Sequence, residues 1–207
     1  MTELEHRPTT PDDALQELLA GNERFVTGAR VHPHQDAERR AAVANSQTPF
    51  AVVFGCSDSR LAAEIIFDRG LGDLFVVRTA GHIIGPEVLA SVEYGVKVLG
   101  APLLVVLGHD SCGAIQATHD AMTSGMPVPG LRAIVDRVRP SIEYARASGV
   151  TDLDAISATH VQLTVRQLSE EYPGLVDAIA AKECAVAGLT YKLSDGRVTL
   201  VARTAAA

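Results

Sequence analysis

The sequence predicts an α/β fold: a mainly parallel central sheet flanked by helices, with an N-terminal helical arm and a C-terminal antiparallel hairpin. Three observations predict it. PFAVVFGC (49–56), DLFVVRTAG (73–81) and APLLVVLGH (101–109) are continuous apolar runs of strand length, the pattern of strands covered on both faces. Helical patterns separate them, over about 62–67 and 86–99. Finally, AVAGLTYKLSDGRVTLVA holds two apolar runs either side of Asp195-Gly196, a hairpin turn pair.

The elements follow in order. Thr10-Pro11 with two aspartates opens a helix on which Leu15, Leu18 and Leu19 share a face, and the polar VHPHQDAERR after it suits an exposed arm. On the 86–99 helix, Val88, Ser91, Val92 and Gly95 form a stripe that can lie on a sheet. A short helix is expected over 115–123, a loop at GMPVPG (125–130), and helices over 131–148 and 151–171 divided at Ser148-Gly149. Residues 1–207 suit one domain, with 1–45 as the N-terminal helix and arm.

Composition narrows the function classes. A chain that is 47% hydrophobic and 21% charged suits a folded core. Its net charge of −7 disfavours nucleic acid as a partner, because phosphates demand a basic face. No stretch approaches the roughly 18 apolar residues of a membrane span, and MTELEHRPTT lacks a signal-peptide layout. A cytoplasmic setting is therefore expected, where three cysteines suggest metal or redox chemistry rather than a disulfide framework.

The chemistry concentrates at two strand ends. VVFGCSDSR delivers Cys56, Asp58 and Arg60 just where the first strand stops, and GHDSCG delivers His109 and Cys112 just beyond the third. Ligands of open α/β sheets sit at such carboxyl ends. Two thiolates and an imidazole make a three-donor set for Zn²⁺. Cys112 also precedes a helix start, where backbone N–H groups favour a thiolate. A lone cysteine at a strand end is ordinary packing; two of them with His109, Asp58 and Arg60 are not.

The motifs C-S-D-S-R at 56–60 and G-H-D-S-C-G at 108–113 resemble the signature of β-class carbonic anhydrases, and the likeness runs from about Gln47 through Ile115. The resemblance implies one Zn²⁺ per chain on Cys56, His109 and Cys112, with water or hydroxide in the fourth position. It implies reversible hydration of CO2 to bicarbonate and a proton, by zinc-bound hydroxide attack. Asp58 and Arg60 would form a catalytic pair beside the metal, and in some members the aspartate swings onto zinc and closes the site. Two thiolates cancel the metal's charge, so activity is expected to climb toward alkaline pH.

Gln47, Phe75 and Tyr94 match the substrate-pocket residues of the family's plant-like branch. A regulatory bicarbonate pocket known in other members carries a tryptophan where this chain has Val53, and the chain holds no Trp, so Arg78 is assigned a structural role. The resemblance further implies a homodimer or homotetramer, with the N-terminal segment gripping a second subunit. Among the other histidines, His82 suits either a proton relay or a loop contact, His32 and His34 an exposed arm, and His119 and His160 helix positions without chemistry. Cys184 has no ligand-spaced partner and suits a buried small residue.

Three competing readings stand beside the zinc hydratase. One is a structural zinc site closed permanently by Asp58. Another is a thiol enzyme, though three residues between Cys56 and Arg60 do not match a phosphatase loop, and the deaminase pattern is absent. The third is hydrolysis of carbon disulfide or carbonyl sulfide on the same scaffold.

Overall fold

The structure, a computed structural model, describes residues 7–125 and 129–204. The start of the signal-peptide reading and residues 126–128 of the expected GMPVPG loop lie outside them.

Five strands form one sheet in the order β2-β1-β3-β4-β5: β1 Ala51–Cys56, β2 Leu74–Thr79, β3 Leu103–His109, β4 Ala185–Tyr191 and β5 Val198–Arg203. The first four are parallel to one another, and β5 pairs antiparallel with β4 after the turn at Gly196. Every residue of β1 and β3 is buried. Their odd and even positions face two separate cores, Ala51, Val53, Val105 and Leu107 on one side and Val52, Phe54, Leu104 and Val106 on the other. Burial on both faces is why these strands show no alternation in sequence.

Eight α-helices cover the sheet among the described residues. They are α1 Pro11–Thr27, α2 Ala37–Ala42, α3 Ala63–Ile66, α4 Pro86–Glu93, α5 Gly113–Ser124, α6 Arg132–Ala147, α7 Leu153–Glu170 and α8 Pro173–Ala180. The single helix expected over 86–99 changes to π geometry at Tyr94–Val98. Gly95 sits there because a Cβ would come within 2.5 Å of Val52 Cγ2. Helix α8 was not anticipated; its eight residues, opened by Pro173, bury Leu175 and Ala178. The polar arm contains the short helix α2, capped by the Asp36 side chain.

Helix α1 is fastened to its own chain. Thr10 caps it, and Ala14, Leu15 and Leu18 enter the core beside Phe67. Asn22 donates to the carbonyls of Ile66 and Gly196 and accepts from Val198 N–H. Gly21 is needed at the crossing, since a Cβ would fall 1.9 Å from the Phe67 carbonyl oxygen. The face carrying Leu15 and Leu18 is therefore covered from within the chain. No helix among the described residues is long and apolar enough to cross a membrane.

Candidate metal centre

Strands β1 and β3 are adjacent and in register, Gly55 opposite Leu107, so Cys56 and His109 emerge side by side at their carboxyl ends. Gly108 allows α7 to pack over this point, because a Cβ would meet Val161 Cγ2 at 2.3 Å. The chain then turns through Ser111, whose φ is +50°, and Cys112 occupies the N-cap of α5. That turn is pinned from outside: Asp154 accepts from Ser111 N–H, Ser157 Oγ donates to the His109 carbonyl, and Asp110 accepts from Leu193 N–H.

The two thiols and the His109 imidazole converge, all three residues buried, with one donor atom from each lying within 4.8 Å of the others. His109 Nδ1–H donates to the Asp110 carbonyl at 2.7 Å, which leaves the lone pair on Nε2. That Nε2 is buried and has no hydrogen-bond partner. An orphaned acceptor facing two buried sulfurs is costly unless something binds there. Cys₂His donors fit Zn²⁺, one short of the four ligands of a closed structural site.

The electrostatics suit anionic sulfur. A hydrogen bond from Cys112 draws the Cys56 pKa far below the thiol range; burial opposes this, while His109 and the Gly81 N–H assist. Cys112 moves upward, because its neighbour already holds the charge and burial adds to the cost. Burial lowers His109, but the hydrogen bond and charge of Cys56, with the Asp110 carbonyl and the Asp58 charge, together outweigh it and the net shift is upward. Gly81 N–H lies 3.3 Å from Cys56 Sγ.

Asp58 is not among the three converging donors. Arg60 holds it: Nε donates to Oδ1 at 2.9 Å, Nη2 to Oδ2 at 2.7 Å, and the Arg60 backbone N–H to Oδ1 at 2.9 Å. The Arg60 hydrogen bond keeps the Asp58 carboxyl well below the usual carboxylate range, against a partial burial that would raise it. Arg78 steadies the same turn from β2, donating to the carbonyls of Cys56 and Asp58 at 2.9 and 2.6 Å. Its role is structural, as expected.

The anticipated pocket residues lie elsewhere. Phe75 and Tyr94 come together, ring centroids 6.0 Å apart, but Phe75 pairs with Val52 on β1, four residues short of Cys56. That is about 13 Å along the strand. Gln47 is exposed and makes no hydrogen bond within the described chain. All three lie toward the β2 side of the sheet or at its entry rather than around Cys56.

Some histidines differ from expectation. His82 is buried, both its ring nitrogens lack partners, and burial holds its pKa well below the ordinary value, so a proton relay does not fit. His34 is tied to Asp73 at 2.7 Å. His160, expected to be without chemistry, is buried and bonded at both ring nitrogens, to Ser141 and to Gly81. Only its helix position was visible in the sequence. Cys184 is a buried free thiol pushed up to about 12 by burial.

The chain is similar to known proteins. The family model for carbonic anhydrase matches residues 51–198. A carbonic anhydrase of Mycolicibacterium smegmatis is 52% identical over 93% of this chain and 94% of its own, and carbonic anhydrase 2 of Mycobacterium tuberculosis is 50% identical over 93% of each. Among solved structures, a tetrameric β-carbonic anhydrase of Sordaria macrospora superposes with a TM-score of 0.74 at 24% identity, covering 93% of this chain and all of that one.

Proposed function

The chain belongs to the β-class carbonic anhydrase family, and from that premise we propose how its own residues divide the work of hydrating carbon dioxide. It is a zinc enzyme, a lyase interconverting CO2 and bicarbonate. Cys56, His109 and Cys112 would hold one Zn²⁺ per chain. When bound, the metal supplies the Lewis acidity that makes hydroxide available near neutral pH.

The observation that carries the rest of the reading is the Arg60–Asp58 fork beside a three-donor set. Oδ1 accepts two hydrogen bonds from Arg60 and Oδ2 accepts one, which leaves a lone pair on Oδ2. Asp58 stays ionised, so it only accepts. An attacking oxygen that carries a proton would donate a hydrogen bond to Oδ2, keep that proton, and present its own lone pair to the CO2 carbon. Arg60 thus orients the general acceptor, and by holding Asp58 it keeps the site open rather than closed by a fourth protein ligand. Release of Asp58 onto the metal, giving an inactive form, would require this fork to break.

Gln47, Phe75 and Tyr94 are proposed to line the substrate pocket, as in the plant-like branch. Their distance from this chain's own Cys56 and their place at the open sheet edge support a role in a neighbouring subunit's site. A homodimer or homotetramer follows from that role, with residues 1–45 proposed to take part in the interface. The Sordaria macrospora enzyme is tetrameric, which is consistent with this reading. A cytoplasmic setting is part of the proposal, since all three cysteines are free thiols and two are metal donors.

Stopped-flow CO2 hydration by protein with counted zinc tests the reading. Turnover that requires about one zinc per chain and rises from pH 6.5 to 9 is expected. Zinc-replete protein that hydrates no CO2 would overturn it, and hydrolysis of carbon disulfide or carbonyl sulfide by that protein would name the alternative.

A further inference from the structure

We infer that His160 is a positioning residue for the Cys56 thiolate, acting through the backbone of Gly81. Three groups buried beside the metal centre make one line. Ser141 Oγ on α6 lies 2.7 Å from His160 Nδ1 on α7. His160 Nε2 lies 3.0 Å from the Gly81 carbonyl oxygen, and Gly81 N–H lies 3.3 Å from Cys56 Sγ.

The direction of each bond is determined by its end. A carbonyl oxygen only accepts, so Nε2 carries the proton. In a neutral ring Nδ1 then accepts from the Ser141 hydroxyl. Burial favours the neutral ring by lowering the His160 pKa. Ser141 thereby selects the tautomer that can donate to Gly81.

Gly81 converts that bond into the aim of an N–H. Its φ of +71° and ψ of 22° are left-handed, and a Cβ would stand 2.7 Å from Ala114 Cβ, so only glycine fits. Its N–H and C=O belong to consecutive peptide units, so His160 does not polarise the N–H directly. It holds the carbonyl, and therefore the rotation of the residue whose N–H meets the sulfur. The turn has few other holds: Thr79 Oγ1 donates to the Ile83 carbonyl and Arg137 Nε to that of Ile84, both beyond His82. The His82 ring lies 4.4 Å from that of His160, tilted by 39°, and backs it. Donors to a ligating sulfur tune its charge and its grip on the metal.

The inference rests on the metal assignment above, and its test reads the metal–sulfur bond rather than turnover. Cobalt(II) is exchanged for zinc, and the thiolate-to-cobalt charge-transfer absorption and the zinc dissociation constant are measured in three full-length proteins. His160→Leu removes the donor at similar volume. His160→Gln keeps an N–H donor near the Nε2 position. The expected result is a shifted band and about tenfold weaker zinc binding in His160→Leu, with both largely restored in His160→Gln.

A folded His160→Leu protein with the wild-type band and affinity overturns the inference, as does a Gln variant that behaves like Leu. If His160→Leu does not fold, ¹⁵N shifts of wild-type zinc-loaded protein decide: an Nε2-protonated neutral ring supports the line, and an Nδ1-protonated or doubly protonated ring overturns it. Absence of any thiolate band in wild-type cobalt protein would instead overturn the metal reading itself, and this inference with it.

Discussion

Arg60 grips Asp58 along one edge of its guanidinium, Nε at 2.9 Å from one carboxylate oxygen and Nη2 at 2.7 Å from the other. A lysine makes a single point contact and cannot reproduce that planar match. The grip leaves one lone pair on Asp58 Oδ2 free, and Asp58 stands outside the Cys56, His109 and Cys112 donor set. In the proposed mechanism, orientation of the reacting oxygen and access to the metal depend on this same pair.

Metal removal tests the donor set apart from catalysis. Without an ion, His109 Nε2 is buried with no partner, so the metal stabilises the folded state by mass action. With free zinc at about a thousandfold over Kd, that stabilisation is about 4 kcal/mol, or a fall of about 10 °C in Tm on chelation. Zinc should restore it, and should fail to do so in Cys112→Ser. A Tm unmoved by verified zinc loss would contradict the assignment.

The place of helix α1 is open to a direct check. Leu18 is fully buried against this chain's own core, so Leu18→Ala should cost about 2–5 kcal/mol in urea unfolding. The loss should not depend on protein concentration. A loss that vanishes on dilution would show that the helix is held by a second subunit instead.

Asp68 gives a pH dependence of known sign. Burial would raise its pKa, but Arg24 at 2.7 Å and the N–H groups of Val31 and His32 more than offset that, and the net shift is downward. A depressed native pKa means stability that is fully present above the unfolded value of about 3.9 and is lost as pH falls toward the native value. Asp68→Asn should therefore lose about 2–3 kcal/mol at pH 7, with the gap to wild type closing below about pH 4. A gap that stays constant across that range would refute the charge-based account.

Much of this was legible in the sequence, for a physical reason. Strands β1 and β3 are buried on both faces, so their apolar runs are unbroken, and Cys56, Asp58, His109 and Cys112 stand directly at their ends. What was not legible arises between distant segments. Nothing local marks His160 as the partner of Gly81, since α7 reaches it only after packing across Gly108. Likewise the cover over the apolar face of α1 comes from Phe67 and the 196–198 turn. Helix α8 was missed because eight residues carry too short a period to recognise.

The proposed placement of Phe75 in a neighbouring subunit's site makes a distinctive expectation. Phe75→Ala and Arg60→Leu proteins should each be nearly inactive alone. In a mixed oligomer, one site would combine an intact Arg60 with the neighbour's intact Phe75, so subunit exchange should restore part of the activity. If mixing restores nothing while exchange is verified by mass, the pocket residues serve their own chain or none.

The Arg60–Asp58 pair is tested most directly by zinc content and kcat/KM for CO2 measured together in Arg60→Leu. The expected result is about one zinc per chain and a loss of about a hundredfold, because a misaimed acceptor no longer orients the nucleophile. Zinc-replete Arg60→Leu with wild-type kcat/KM would contradict it.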